Sequence, residues 1–208
     1  MNEDSQATPE QQQPEHQPPP AGGPQFSPEQ AALAAGVRDL LGDDLLSSGL
    51  DAGGALVLEV TAARVLDLLG WLSTAAEPPV GYLSDLHGLD SEETMAVVYH
   101  LFRRGEAFEV TVKAITPRAT PRVPSVTPLW PGARWPEREV MEMFGIAILD
   151  HPDPRKLLLP DDWEGHPLRK DYAYPADHPY LAPDPLHEDP ATAFGHAGEQ
   201  PGPEDAGG

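Results

Sequence analysis

The chain has 208 residues, 39% of them Ala, Val, Ile, Leu, Met, Phe, Trp, Tyr or Cys, with 26 prolines, 19 glycines and no cysteine. Its 13 basic against 34 acidic residues leave a formal charge of −21, which repels phosphate backbones and argues against nucleic-acid binding as the main role. The lack of cysteine removes disulfides, thiolate zinc sites, iron–sulfur ligation and a cysteine nucleophile together, so any redox role belongs to a bound partner or a non-covalent cofactor.

No stretch approaches the length of uncharged apolar sequence that spans a bilayer. The N-terminus has neither a basic flank nor an apolar segment of the secretory kind. The expectation is a soluble, cytoplasmic chain. Residues 1–28 hold four acidic and no basic residues, and residues 173–208 hold seven acidic and no basic residues. Neither end has an apolar period able to offset the entropy of ordering. This predicts a disordered Pro/Gln-rich tail over 1–26 and a disordered acidic tail over 176–208.

Between the tails, Ser27-Pro28-Glu29-Gln30 offers an N-cap, a proline at the first helical position and a capping-box Gln. Leu33, Val37, Leu40 and Leu41 follow at helical spacing, and Gly42 stops the helix. Ala55–Val60 reads as a short strand after Gly53-Gly54. Thr61 is placed to cap a second helix with the stripe Val65, Leu68, Leu69 and Leu72. Three strand-like runs follow, Val80–Leu86, Met95–Phe102 and Ala107–Ile115, with a turn at Arg103-Arg104-Gly105-Glu106. The pattern predicts an α+β fold: a small domain of helices on an antiparallel sheet over 27–116.

After Ile115, six prolines from Pro117 to Pro136 break the elements between them. One helix fits, with Pro136 at its first position, Glu137 and Glu139 at the positive end of its dipole, and Gly145 as its stop. Val140 and Phe144 share one face. Beyond Ile148 the sequence has no period. Residues 117–175 therefore read as an extended, Pro-rich, charged segment with one short helix.

There is no dinucleotide-binding glycine fingerprint, no phosphate-binding glycine loop and no nucleophile elbow. His151, Asp153, Asp161, Asp162, Glu164 and His166 could offer a metal two imidazoles and four carboxylates, but no pair has the i,i+4 spacing that fixes two ligands on one helix face. Arg155, Lys156, Arg169 and Lys170 lie among them and compete for the carboxylates. Arg138 and Glu142, four residues apart on the short helix, read as a weak surface pair. Trp130, Trp135 and Trp163 suit either core cover or anchoring on another protein.

Pro121–Pro131 (PRVPSVTPLWP), Glu137–Ile146 (EREVMEMFGI) and His151–Tyr172 (HPDPRKLLLPDDWEGHPLRKDY) together carry a resemblance. The chain resembles the C-type, or 30 kDa-type, subunit of bacterial respiratory complex I, the NADH-quinone oxidoreductase. Tyr82–Asp85 and Val97–His100 are lesser landmarks. Glu142 stands where the family more often has Asp, and Pro154 where it more often has Leu.

The resemblance implies a non-catalytic subunit in the peripheral arm of a proton-translocating enzyme that passes electrons from NADH through FMN and Fe–S clusters to a quinone. The cofactors would sit in partner subunits, with none in this chain. It implies packing against the large quinone-site subunit (the D-type) and the neighbouring Fe–S subunit (the B-type), on the cytoplasmic side of the cell membrane, with membrane contact only through partners. The charged segment is the expected interface and, lacking an apolar period, is expected to need a partner to order it. Its candidate residues are Glu137, Arg138 and Glu139 on the helix, Asp161, Asp162, Trp163, Glu164 and His166 after it, and then Arg169, Lys170 and Asp171. Two other readings are an equivalent assembly subunit of a membrane-bound hydrogenase or deazaflavin-linked dehydrogenase, and a free-standing metal-dependent hydrolase using His151, Asp153 and His166.

Overall fold

A computed structural model describes residues 25–173, so the two expected tails, apart from Gln25 and Phe26, lie outside the described residues. Helix α1 spans Pro28–Leu41 and opens on the expected capping box. The Gln30 N–H donates to Ser27 Oγ (3.1 Å), and the Ser27 N–H donates to Gln30 Oε1 (2.9 Å). After a 3₁₀ turn, strand β1 (Leu45–Leu50) forms a hairpin with β2 (Leu56–Thr61), closed by Asp51 Oδ1 accepting the Ala55 N–H at 2.9 Å. The Ser47-Ser48-Gly49 centre of β1 hides it from pattern reading, because a strand signal needs apolar residues on alternate positions.

Helix α2 (Val65–Thr74) buries the expected Val65, Leu68, Leu69 and Leu72. Thr61 does not cap it. A 3₁₀ turn over Ala62–Arg64 intervenes, and the Thr61 hydroxyl donates to Asp44 Oδ1 at 2.7 Å instead.

Strands β3 (Tyr82–Asp90), β4 (Thr94–Phe102) and β5 (Glu109–Pro117) form an antiparallel meander that completes a five-stranded sheet, order β1-β2-β5-β4-β3. The fold is α+β, as the sequence predicts, but the sheet is mixed. Helix α2 returns the chain after β2, so the third meander strand lies beside β2 running the same way, with Leu56 opposite Val110 and Thr61 opposite Ile115.

The proline-rich stretch is less broken than expected. Strand β6 (Arg122–Pro124) pairs in parallel with β7 (Ala147–Leu149), and helix α3 (Arg134–Phe144) joins them. Pro124 ends β6, where a missing N–H costs little. Helix α3 begins two residues before Pro136, which sits in the first turn, where N–H groups have no intrahelical acceptor. Gly145 ends the helix at φ +67°, as expected.

One face of the sheet carries rows such as Leu58, Val112, Tyr99 and Leu86 and is covered by the helices. Val123, Val126, Val140, Ile146 and Ile148 join the same buried cluster as Val37, Leu68 and Leu101. The chain to Leu149 thus shares the core of the residues before it. Helix α3 lies so close on β3 that a Cβ on Gly88 would stand 2.3 Å from Phe144 Cδ2.

Candidate functional site

Helix α3 has an unusual interior face. Alongside Val140, it buries Glu137, Arg138 and Glu142. Each charge is engaged chiefly by backbone groups. The Glu137 carboxylate accepts the Val126 N–H (2.6 Å) and the Ser125 hydroxyl (2.7 Å), which fixes the turn after β6. Arg138 donates to the carbonyls of Arg155 (2.7 Å) and Lys156 (2.6 Å). Glu142 accepts the N–H groups of Leu157, Leu158 and Leu159 at 3.0, 2.8 and 2.8 Å. The weak surface pair expected of Arg138 and Glu142 is therefore not what forms. Burial turns both side chains onto the next loop, where charge-assisted bonds to amide groups are stronger than a solvated pair.

The segment after β7 has no regular structure, yet it is tied down along its length. His166 Nδ1 donates to the Glu142 carbonyl (2.8 Å) and the Leu168 N–H to the Met143 carbonyl (3.0 Å), capping the C-terminal end of α3. Lys156 Nζ donates to the carbonyls of Pro160, Asp161 and Trp163. The Lys170 N–H donates to the buried Asp90 carboxylate (2.8 Å), which also pairs with Arg118, and Arg118 pairs with Asp171 at 2.9 Å. The expectation that this segment needs a partner to order it does not hold. Side-chain bonds to backbone replace the missing apolar period.

Beneath the helix is a polar cluster of different character. His151 Nδ1 accepts the Asp153 N–H (3.0 Å), so its proton sits on Nε2, which donates to the Arg134 carbonyl (3.1 Å) and lies 3.7 Å from the Glu137 carboxylate. Burial pushes the Glu137 carboxyl above its usual range, against the lowering effect of the Val126 N–H and the Ser125 hydroxyl. Burial likewise pushes the Tyr99 phenol far up, and its hydroxyl has no hydrogen-bond partner among the described residues. Asp153 lies among guanidinium groups: Arg155 above all, then Arg134, hold its carboxyl well below the usual carboxylate range.

This arrangement does not serve the hydrolase reading. Arginines take Asp153, the His151 ring is turned onto backbone groups, and among the described residues no group of three or more His, Asp or Glu is arranged to hold a metal.

The eleven candidate interface residues divide. Glu137, Arg138 and Trp163 are buried, so their side chains offer little to a partner. His166 and Arg169 are half-buried. Glu139, Asp161, Asp162, Glu164, Lys170 and Asp171 are exposed. Sequence reading missed the exposed apolar residues of the same region: Leu149, Leu158 and Leu168 stand out beside Trp135, which is 57% exposed. The apolar run Leu157–Leu159 was the one available signal. Of the tryptophans, Trp163 is buried, Trp130 packs on the core with its Nε1–H on the Gly81 carbonyl, and Trp135 faces out under Arg138.

Comparison with known proteins agrees with this geometry. The family described as respiratory-chain NADH dehydrogenase, 30 Kd subunit, matches residues 58–178, which include β3–β5, α3 and the tied-down segment. The C-type subunit of the NADH-quinone oxidoreductase of Roseiflexus castenholzii (strain DSM 13941 / HLO8) is 39% identical over 142 residues, covering 67% of this chain and 81% of that protein. The C/D-type subunit of the NADH-quinone oxidoreductase of Pseudomonas fluorescens (strain SBW25) is 33% identical over 160 residues, covering 72% of this chain and 27% of that longer protein. The fold alone recurs, at 20% identity and a TM-score of 0.55, in a chain of the membrane-bound sulfane sulfur reductase, an archaeal respiratory membrane complex, covering 69% of this chain and 85% of that one. With a family match over more than half its length and a relative of which it covers four fifths, the chain belongs to the 30 kDa subunit family of respiratory NADH dehydrogenase, as the C-type subunit of complex I.

Proposed function

We propose that this chain is a scaffold of the peripheral arm that itself carries no flavin, Fe–S cluster or quinone and no catalytic residue. The other complex I subunits hold the cofactors. Its partners are chiefly the large quinone-site subunit and the neighbouring Fe–S subunit, on the cytoplasmic side of the membrane, and its contact with the membrane runs through them. The observation that carries this reading is the tied-down segment 150–172, which presents exposed charges and Leu158 and Leu168 on a backbone hydrogen-bonded to α3 and to Asp90. Relatives named as C/D-type subunits, such as that of Pseudomonas fluorescens, support the D-type, quinone-site subunit as a neighbour. The absence of cysteine from the sequence is consistent with clusters held elsewhere.

Arg169 and Asp171 are the residues to test. Arg169 pairs with Asp171 at 3.4 Å, and Asp171 is held by Arg118 at the surface. Removing a guanidinium from a docked interface costs roughly one and a half to three and a half decades of affinity. Arg169→Ala should therefore impair complex assembly on native gels, and NADH:quinone turnover with it. It should barely move the melting of the isolated subunit. Asp90→Ala, which removes the buried anchor of Lys170, should destabilise the isolated subunit as well. Normal assembly of the Arg169 variant would place the interface elsewhere.

A further inference from the structure

Strand β1 ends the five-stranded sheet, with β2 on one side and, among the described residues, no strand on the other. An end strand presents a row of unpaired N–H and C=O groups, and folds usually blunt it with charge, proline or a cover. We propose that the free edge of β1 takes up an extended segment of another subunit as a sixth strand, one with an uncharged centre and Lys or Arg at both ends.

The two edges of the sheet are built differently. Strand β3 carries Asp85, His87 and Asp90, has a bulge between Leu83 and Asp85, and has Asp90 covered by Arg118 and the Lys170 N–H. Strand β1 reads Leu-Leu-Ser-Ser-Gly-Leu, with neither charge nor proline. Its register shift falls between Leu45 and Ser47, so Ser47–Leu50 run regularly against Leu56–Glu59. Leu46 is 51% exposed, and a Cβ at Gly49 would meet nothing within 4 Å. Main-chain bonds give such an edge its affinity for a strand, while side chains and flanking charges select which strand binds.

Charge around the edge selects the occupant. From residue 39 to residue 63 there are five acidic residues and no basic one. Asp44 is bonded to Thr61 and Arg64, whereas Asp43 and Asp51 are exposed just beyond the two ends of β1. At about 3.3 Å per residue the six residues of β1 span about 20 Å, which sets the spacing of the cations on a matching segment. A second copy of this chain does not fit. Antiparallel pairing about a two-fold axis would set Asp43 and Asp44 of one chain beside Asp51 of the other, and like charges across strands repel. The inference rests on the scaffold reading for the partner being another subunit. It adds a contact on the edge of the sheet opposite the one where Asp90 holds the tied-down segment.

The test follows amide hydrogen exchange of the full chain, free and in the purified complex. Strand addition predicts that alternate amides within Leu45–Leu50 slow about tenfold or more on assembly. Those of β2 and β5, already paired on both sides, should not change. Asp43→Asn with Asp51→Asn removes the two charges and keeps the oxygen that accepts the Ala55 N–H. Co-expressed with the unaltered chain, this variant should enter the complex about tenfold less often, the loss of two exposed charge pairs. It should melt like the unaltered chain. Exchange across β1 that is the same free and assembled overturns the inference and leaves the scaffold reading standing, because the complex has still formed. Equal incorporation of the double variant overturns the basic partner. Slowing of the β1 amides in the free chain as its concentration rises would assign the edge to a second copy and overturn the inference too.

Discussion

Arg138 and Glu142 stand one turn apart on α3 and do not bond to each other; one holds the carbonyls of residues 155 and 156, the other the amides of 157, 158 and 159. Opposite charges on one helix thereby grip the backbone of five consecutive residues, four peptide groups in all, the one between Lys156 and Leu157 by both ends.

Glu142→Gln should loosen that grip. It leaves one oxygen to accept and turns an NH₂ toward amide donors that have no other acceptor nearby. The expected loss is about 2–3 kcal/mol, the scale of hydrogen bonds to a charged group. Urea unfolding measures it, and amide exchange should speed up first at Leu157–Leu159.

Gly145→Ala tests the seam between α3 and the segment after β7. The residue sits at φ +67°, and a Cβ there would lie 2.4 Å from His166 Cδ2. The left-handed backbone alone costs a non-glycine residue about 1–2 kcal/mol, and the clash adds to it by displacing the His166 bond to the Glu142 carbonyl. The expected signature is a lower melting temperature together with an altered His166 ring resonance.

Glu137 sets a pH dependence of one sign. Its folded carboxyl titrates above the ordinary 4.5, because burial outweighs the bonds to the Val126 N–H and the Ser125 hydroxyl. Folding therefore favours the protonated form. That contribution is whole below the ordinary value and is lost as pH rises through the folded one. Glu137→Gln should remove this decline. Stability curves of the two proteins, measured from about pH 5 to about pH 8, should diverge in favour of the variant as pH rises.

Asp153 sets the opposite sign. Arg155 and then Arg134 hold its folded carboxyl below the ordinary 3.8, so its contribution is present above that value and is lost as pH falls through the folded one. Arg155→Ala should raise the folded value and move the acid loss of structure to higher pH. Acid titration followed by tryptophan fluorescence reads the shift.

How far the sequence revealed these features depended on whether the signal was periodic. The capping box at Ser27, the stripe Val65–Leu72 and the glycine stop at Gly145 are local patterns, and the structure repeats them. Strand β1 was invisible because Ser47, Ser48 and Gly49 carry no alternation. Residues 150–172 were legible as family-like but not as structure, since their order comes from side chains 15 to 80 residues away, Glu142 and Asp90 among them. Exposure in this part of the chain, with Glu137 and Arg138 of α3 turned inward and Leu158 of the segment outward, follows from bonds between separate stretches of chain and not from residue type.

The parallel seam between β2 and β5 has a consequence for how the chain comes to be folded. Every other pairing in the five-stranded sheet joins neighbours in sequence, whereas Leu56 must find Val110 across 54 residues. Loop closure of that length is entropically costly and slow compared with closing a hairpin. During synthesis the β1–β2 hairpin emerges early and keeps one hydrogen-bonding edge open until residues 109–117 have left the ribosome. For that interval β2, with its Leu-Val-Leu run, is an unpaired apolar edge of the kind that draws aggregation. Asp43 and Asp44 before β1, and Asp51 after it, put negative charge at the ends of that hairpin from the start.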